Sequence, residues 1–291
     1  MALLREIAIE KLSSHFAARI TGIDWSNPVD ENLLADVHAA FAEYSVLCFP
    51  NQRLGSQDQQ RFAACFGQVD GGYRDRSNGD VKRSKKRGVM LVSNIRKNGK
   101  PIGSLPDGEM FFHSDGSHRN KPYRATTLYG IKIPSAGGET MFADLRAAYD
   151  ALPEDIKDQI KYLKARHIYD YGSTLRDQNQ EIETNSDYPN ALHSLVKTHP
   201  VSGRKTLYLS RLMTRYIDGF SRSESDDLLE FLFNHAEKDE FIYSHKWTPD
   251  DLLIWDNRCL NHARTDFPKE ETRLLRRYTV SEPGDEEAVD Y

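Results

Sequence analysis

The sequence predicts a mainly β protein with a few helices packed outside its sheets. Three observations carry this. Most apolar stretches are short and closed by turn residues, as where Pro50 stops Val46-Leu47-Cys48-Phe49. Helical spacing is confined to a few capped segments. The chain, 291 residues long, is within reach of one large all-β or mixed domain, so residues 1–291 are expected to form a single catalytic domain.

The bulk numbers exclude several classes. Hydrophobic content of 38% with 29% charge suits an ordinary globular enzyme. A net charge of −5 speaks against nucleic acid as a partner. No apolar run approaches membrane-spanning length, and residues 1–10 have no apolar core of the signal-peptide kind. Three cysteines make no disulfide framework, which fits a reducing cytoplasm.

The elements follow in order. Residues 3–25 read as short strands. Asp30 caps a helix with Leu33, Leu34, Val37 and Phe41 on one face. Ser56-Gln57-Asp58-Gln59 reads as a capping box, and the helix after it is expected to stop at Gly67. Nothing so far carries chemistry. Residues 71–88 turn Gly-rich and then basic, through Lys82-Arg83-Ser84-Lys85-Lys86-Arg87. Such a run can bind nucleic acid, but a solvated loop is the simpler reading. The stretch 71–108 is expected to be a lid. Within it, 89–95 is a strand whose polar end, Ser93-Asn94, reads equally as facing a pocket or as a turn-side Asn.

A strand bearing His113 follows, then one over 125–133, a turn at 134–138 and a strand with Thr140 and Phe142. Residues 144–163 read as two short helices, with Pro153 opening the second. Residues 170–190 are polar and irregular, and read as a surface or gating loop or a contact with a second subunit; a homo-oligomer is expected. Residues 206–210 form a strand. Ser223 is expected to cap a helix whose face is Leu228, Phe231, Leu232 and His235. Residues 241–255 read as a hairpin turning at Pro249-Asp250. The last strand spans 273–280, and 282–291 form an acidic tail.

The chemistry centres on Phe111-Phe112-His113-Ser114-Asp115. On a strand, His113 and Asp115 point to the same side. A third ligand, His262, comes from a distant strand after Trp255-Asp256-Asn257-Arg258. Two histidines and one carboxylate leave coordination positions open on an octahedral metal, as non-haem Fe(II) oxygenases require. The triplet alone is weak: with 10 His and 44 acidic residues, chance supplies about 1.5 His-x-acid triplets. His235-Ala236-Glu237 is a decoy, because positions two apart on a helix do not share a face. A second constellation lies on the last strand. Arg273 and Arg277, four apart, share a face with Leu275, while Arg276 points away and reads as a surface charge. Buried arginines need anions, and their planar fork suits a carboxylate. The remaining histidines, His118, His167, His193, His199 and His245, read as structural, and Cys259 as a small buried hydrophobe.

Taken together, Phe112-His113-Ser114-Asp115, Pro134-Ser135-Ala136-Gly137-Gly138-Glu139-Thr140, Thr198-His199-Pro200-Val201-Ser202-Gly203-Arg204-Lys205 and the stretch from Trp255 through His262 to Arg273 and Arg277 resemble the taurine dioxygenase / 2,4-dichlorophenoxyacetate dioxygenase family. The resemblance spans most of residues 15–280. It implies a double-stranded β-helix, a jelly-roll-like core. It implies Fe(II) on His113, Asp115 and His262, with 2-oxoglutarate as cosubstrate and O₂ as oxidant. Arg273 and Thr140 would then hold the distal carboxylate of 2-oxoglutarate. Arg277, with Asn94, would hold a small anionic substrate. An aryloxyacetate cleaved to a phenol and glyoxylate is the expected reaction. The alternatives are an alkylsulfonate substrate of the taurine kind, or a metal-binding β-barrel without catalysis, which would need neither the arginine pair nor Thr140.

Overall fold

A computed structural model describes residues 7–70, 74–75, 82–83, 89–104, 109–169 and 188–282. The chain opens with β1 (Ala8–Lys11), β2 (Ala18–Thr21), α1 (Glu31–Tyr44), β3 (Val46–Phe49) and α2 (Ser56–Ala64). It continues through β4 (Gln68–Val69), β5 (Arg74–Asp75), β6 (Lys82–Arg83), β7 (Met90–Ser93), β8 (Arg96–Lys97) and β9 (Lys100–Pro101). Next come β10 (Met110–His113), β11 (Ala125–Lys132), β12 (Thr140–Asp144), α3 (Leu145–Asp150) and α4 (Glu154–Ile160). Then follow β13 (Lys164–Ile168), β14 (Asn190–Ser194), β15 (Val196–Thr198), β16 (Lys205–Leu207), β17 (Thr214–Ile217) and α5 (Arg222–Ala236). The described chain ends with β18 (Ile242–His245), β19 (Leu252–Asp256), β20 (Leu260–Arg264) and β21 (Leu274–Ser281).

Two sheets make the frame. The larger runs β1-β2-β3-β19-β11-β21-β4, with β7 also paired to β21. The smaller runs β10-β20-β12-β18. Their facing surfaces enclose Phe16, Val46, Leu128, Phe142, Trp255 and Leu275, giving the jelly-roll-like core. Period-two alternation sorts each strand between this layer and the next. On β19, Leu253 and Trp255 face inward, while Leu252 and Ile254 face outward against α1 and α2 with Phe41, Phe62 and Tyr129. Each such fully buried side chain contributes about 1.5–3 kcal/mol. A third cluster, with Leu145, Ile160, Leu207 and Leu229, packs α3, α4 and α5 beside the β14-β13-β17 sheet.

Asp30 caps α1 as expected, accepting the Leu33 N–H at 2.9 Å, and the 144–163 segment gives the two helices α3 and α4. Other boundaries differ from expectation. Gly55, not Ser56, precedes α2, and the Asp58 carboxylate takes the Gly55 N–H at 2.8 Å. Ser221, not Ser223, caps α5, because its partner Glu224 stands three residues on and closes the reciprocal pair. Phe231 is 44% exposed, and Leu229 and Phe233 take the buried face instead. The expected 241–255 hairpin is not one: β18 pairs with β12, and β19 with β11 and β3, so the turn crosses between sheets. Of the expected lid over 71–108, residues 89–104 hold β7 and the β8-β9 pair; Lys82-Arg83 of the basic run pair with Arg74-Asp75. The rest of that segment, and residues 170–187 of the expected gating loop, lie outside the described residues.

Candidate metal centre

Sheet pairing brings the two histidines together. His113 stands opposite His262 across β10 and β20, and their rings lie 4.1 Å apart. Asp115 does not reach them by strand alternation. The ladder shifts register between Met110 and His113 and ends with the His113–His262 pair, and Asp115 sits in the turn that follows. Gly116 makes that turn possible: its φ is +73°, and a Cβ there would stand 2.7 Å from the Tyr123 ring.

The three candidate groups are all buried and offer atoms within 4.8 Å of one another. His113 Nδ1 bonds the Phe111 carbonyl at 2.9 Å. A carbonyl only accepts, so Nδ1 carries the proton and Nε2 keeps a lone pair. His113 Nε2 stands 3.9 Å from Asp115 Oδ1, and His262 Nε2 stands 3.8 Å from Oδ2. Those gaps are too wide for hydrogen bonds. Burial lowers the pKa of both imidazoles, so both are neutral. Burial alone would raise the Asp115 carboxyl, but the Arg277 guanidinium, helped by the Thr126 hydrogen bond, outweighs it and holds it well below the usual range. Two neutral nitrogens and one carboxylate with unspent lone pairs are a donor set that fits a divalent transition metal.

Residues to which the sequence reading assigned no part aim this set. Thr126 donates its hydroxyl to Asp115 Oδ2 at 2.7 Å. Asn257 donates to Thr126 Oγ1 at 3.0 Å and accepts from the Trp255 indole at 3.0 Å. Ser114 ties the turn to the Asn257 carbonyl at 2.7 Å. The signal was the Trp255-Asp256-Asn257 run, whose Asn lies on the chain that leads to His262.

The arginines divide by strand face. Arg277 lies on the inner face, and its Nη2 meets Asp115 Oδ1 at 2.9 Å. Arg273 is buried, with Nε and Nη2 on the Gly138 carbonyl at 3.2 and 3.0 Å. Gly138 has φ +71°, and a Cβ there would press on Arg273 Nε at 3.0 Å. Burial first, and then Arg264, disfavour the charge on Arg273; Glu139 favours it. Its pKa is lowered to about 9, still above neutral, so Arg273 remains a cation, and no carboxylate among the described residues is in ion-pair contact with it. Thr140 accepts the Trp247 indole N–H at 2.9 Å, which leaves its own proton to give. One expectation needs correction. Arg276 is not a surface charge: it is buried outward under α2, bonded to Gln59 at 2.7 Å and to the Leu54 carbonyl at 2.8 Å. Asn94 is engaged with the backbone ahead of β21. Its amide gives to the Glu271 carbonyl at 2.7 Å and takes the Arg273 N–H at 2.9 Å, so it splints the approach to β21.

The family model described as "Taurine catabolism dioxygenase TauD, TfdA family" matches residues 8–279. The (S)-phenoxypropionate/alpha-ketoglutarate-dioxygenase of Sphingobium herbicidovorans is 33% identical over 97% of this chain and 97% of that protein. The alpha-ketoglutarate-dependent 2,4-dichlorophenoxyacetate dioxygenase of Cupriavidus pinatubonensis is 33% identical over 91% of this chain and 94% of its own length. The crystal structure of AAD-2 in complex with Mn(II) and N-oxalylglycine superposes with a TM-score of 0.77 at 34% identity, covering 95% of this chain and 97% of that one.

Proposed function

This chain belongs to the TauD, TfdA family of dioxygenases, and from that premise we propose an Fe(II)- and 2-oxoglutarate-dependent dioxygenase that oxidises a small aryloxyacetate. The observation that carries the reading is the joint placement of His113, Asp115 and His262 with Arg277 against the same carboxylate. The relatives named for phenoxypropionate and 2,4-dichlorophenoxyacetate support the substrate class.

His113, Asp115 and His262 would hold the iron, with Thr126 and Asn257 fixing the carboxylate. Bound Fe(II) with 2-oxoglutarate and O₂ supplies the oxidising power that replaces a substrate C–H by C–OH. Arg273 would meet the distal carboxylate of 2-oxoglutarate, with Thr140 donating its hydroxyl. Because Arg273 is already fixed by Gly138, little side-chain freedom is lost on binding. Arg277 would hold the substrate carboxylate, which places the adjacent CH₂ toward the ligand set. Hydroxylation beside the ether oxygen gives a hemiacetal, which breaks to a phenol and glyoxylate. The setting expected is a reducing compartment, in keeping with the free thiols Cys48, Cys65 and Cys259. No helix among the described residues is long and apolar enough to cross a membrane.

The test is direct. Purified protein receives Fe(II) and 2-oxoglutarate without oxygen, then air with phenoxyacetate, 2,4-dichlorophenoxyacetate or taurine. Succinate and phenol formed in equal amounts from an aryloxyacetate are expected. Succinate coupled to sulfite from taurine would replace the aryloxyacetate reading, and no coupled product from any of them would remove it.

A further inference from the structure

The turn that carries Asp115 runs on into Ser117 and His118, and these join a second polar cluster. His167 on β13, His193 on β14, Lys197 on β15 and Tyr208 complete it. The rings of His167 and His193 lie 5.4 Å apart, and Tyr208 lies 5.5 and 5.2 Å from them. His118 stacks on Tyr169 at 4.8 Å. The Lys197 ammonium sits 3.3 Å from the Tyr208 ring centre and 3.4 Å from His193 Nδ1. His193 Nε2 faces the Arg119 carbonyl at 2.9 Å, so that nitrogen carries the ring proton.

Two features set this cluster apart from ordinary packing. First, Lys197 makes no ion pair with a carboxylate among the described residues; burial alone pulls its pKa down to about 7. Second, three of its polar atoms, Ser117 Oγ, His118 Nδ1 and His167 Nε2, are buried without a hydrogen-bond partner, and the buried Tyr208 hydroxyl has the Ser114 side chain beside it. Burial, reinforced by neighbouring cations, lowers His118 and His193 to about 4, so both are neutral. Buried polar groups left unpaired in such number ask for a partner. The cluster is rich in hydrogen-bond donors, since a protonated lysine only donates and a phenol and a hydroxyl each have a proton to give.

We infer that this cluster is a second recognition subsite for the substrate, one that takes an oxygen acceptor carried on its far end, away from the carboxylate held by Arg277. The inference rests on the proposed aryloxyacetate reading and narrows it. The favoured ring is one bearing a carboxylate, nitro or phenolic oxygen, because a plain or chlorinated ring would leave the donors unpaired.

Calorimetry on the full chain, loaded with Fe(II) and 2-oxoglutarate without oxygen, tests this with phenoxyacetate, 4-nitrophenoxyacetate and 4-carboxyphenoxyacetate. The wild type is expected to prefer at least one oxygen-bearing ring over phenoxyacetate by ~10-fold or more. Tyr208→Phe keeps the ring under Lys197 and removes only the hydroxyl; Lys197→Met keeps the stem and removes the charge. Each should cut that preference to within ~3-fold, with circular dichroism verifying the fold. A wild type that binds none of the three or shows no preference overturns the inference, as does a preference that survives both substitutions. In the last two cases ordered water satisfies the cluster. If the preference is found but admitting air gives no succinate, the subsite stands and the reaction assignment fails.

Discussion

Among the described residues, three buried groups combine a histidine with a carboxylate at metal-binding distance: His113/Asp115/His262, His199/Asp256/Cys259 and Cys48/His245/Asp251. All three are buried, and two of them replace the second histidine by a cysteine; hydrogen bonding separates them further. Asp256 is spent: Arg258 holds it with Nε at 2.9 Å and Nη2 at 2.6 Å, and His199 Nε2 adds a contact at 3.0 Å. The other nitrogen of His199 accepts the Ser202 N–H at 3.1 Å. Burial pushes the Cys259 thiol up to about 12, so it offers no thiolate. Asp251 similarly takes His245 Nε2 at 3.2 Å and the Thr248 N–H at 2.9 Å. Only the first group holds two imidazole nitrogens apart from the carboxylate they face. A ligand set is marked by lone pairs left unused, whereas a structural clasp has consumed its own.

The sharpest way to break that distinction is metal binding. His262→Ala should lower Fe(II) affinity by ~100-fold or more and abolish the weak visible charge-transfer band expected with Fe(II) and 2-oxoglutarate under anaerobic conditions. His199→Ala should leave the band in place. The band vanishing in His199→Ala while surviving in His262→Ala would reverse the two roles. Next in size is a stability effect confined to the clasp. Asp256→Ala strands Arg258 and His199 and should cost about 3–5 kcal/mol in urea denaturation, without removing Fe(II) binding by the folded fraction.

The same logic applies to the two faces of β21. Arg273→Ala should weaken 2-oxoglutarate by about 2–5 kcal/mol, measured by anaerobic titration. Arg276→Ala should instead lower stability by about 1.5–3 kcal/mol through its lost bonds and leave 2-oxoglutarate affinity alone; equal losses of cosubstrate at both positions would mean that the faces are misassigned. Arg277→Leu should reduce affinity for an aryloxyacetate ~30-fold, about 2 kcal/mol, while uncoupled turnover of 2-oxoglutarate to succinate persists. Loss of 2-oxoglutarate binding with retained substrate binding would exchange the two arginines.

The smallest effect is a pH slope from a histidine outside all three groups. His193 is lowered to about 4 in the fold, against about 6.5 unfolded. Between those values the unfolded chain binds a proton that the folded chain refuses. Stability therefore falls as pH drops below about 6.5, by at most about 1.4 kcal/mol per unit for this group. His193→Gln should flatten the slope in denaturation curves taken at pH 7 and pH 5; an unchanged slope would show that His193 does not titrate in this way.

Much of the site was legible because it is written in local periodicity. The spacing of Arg273, Leu275 and Arg277 gave their shared face without any knowledge of partners. Asp30 announced its helix, and Gly137-Gly138 marked a tight turn. What failed depended on distant chain. Arg276 read as exposed because nothing nearby in sequence shows that α2, more than two hundred residues earlier, would cover it and supply Gln59. The partners of Asn94 were hidden for the same reason: they are the backbone of Glu271 and Arg273. Thr126 could not be picked from other strand threonines, since its function is set by one hydroxyl meeting Asp115. The supposed hairpin over 241–255 failed because adjacent strands in sequence can be assigned to opposite sheets, and no local signal marks the crossing.

The pleat of β21 has a consequence for anyone altering this region. Arg273 and Arg277 face inward while Arg276 between them anchors a helix, so the two kinds of position are one step apart in the chain. A one-residue deletion between His262 and Arg273 would conserve composition, charge and nearly all apparent similarity, yet it would turn Arg276 into the cavity and Arg277 against α2. The segment before β21 therefore works as a ruler, and an alignment that places its gap there by even one position would assign every arginine the wrong task.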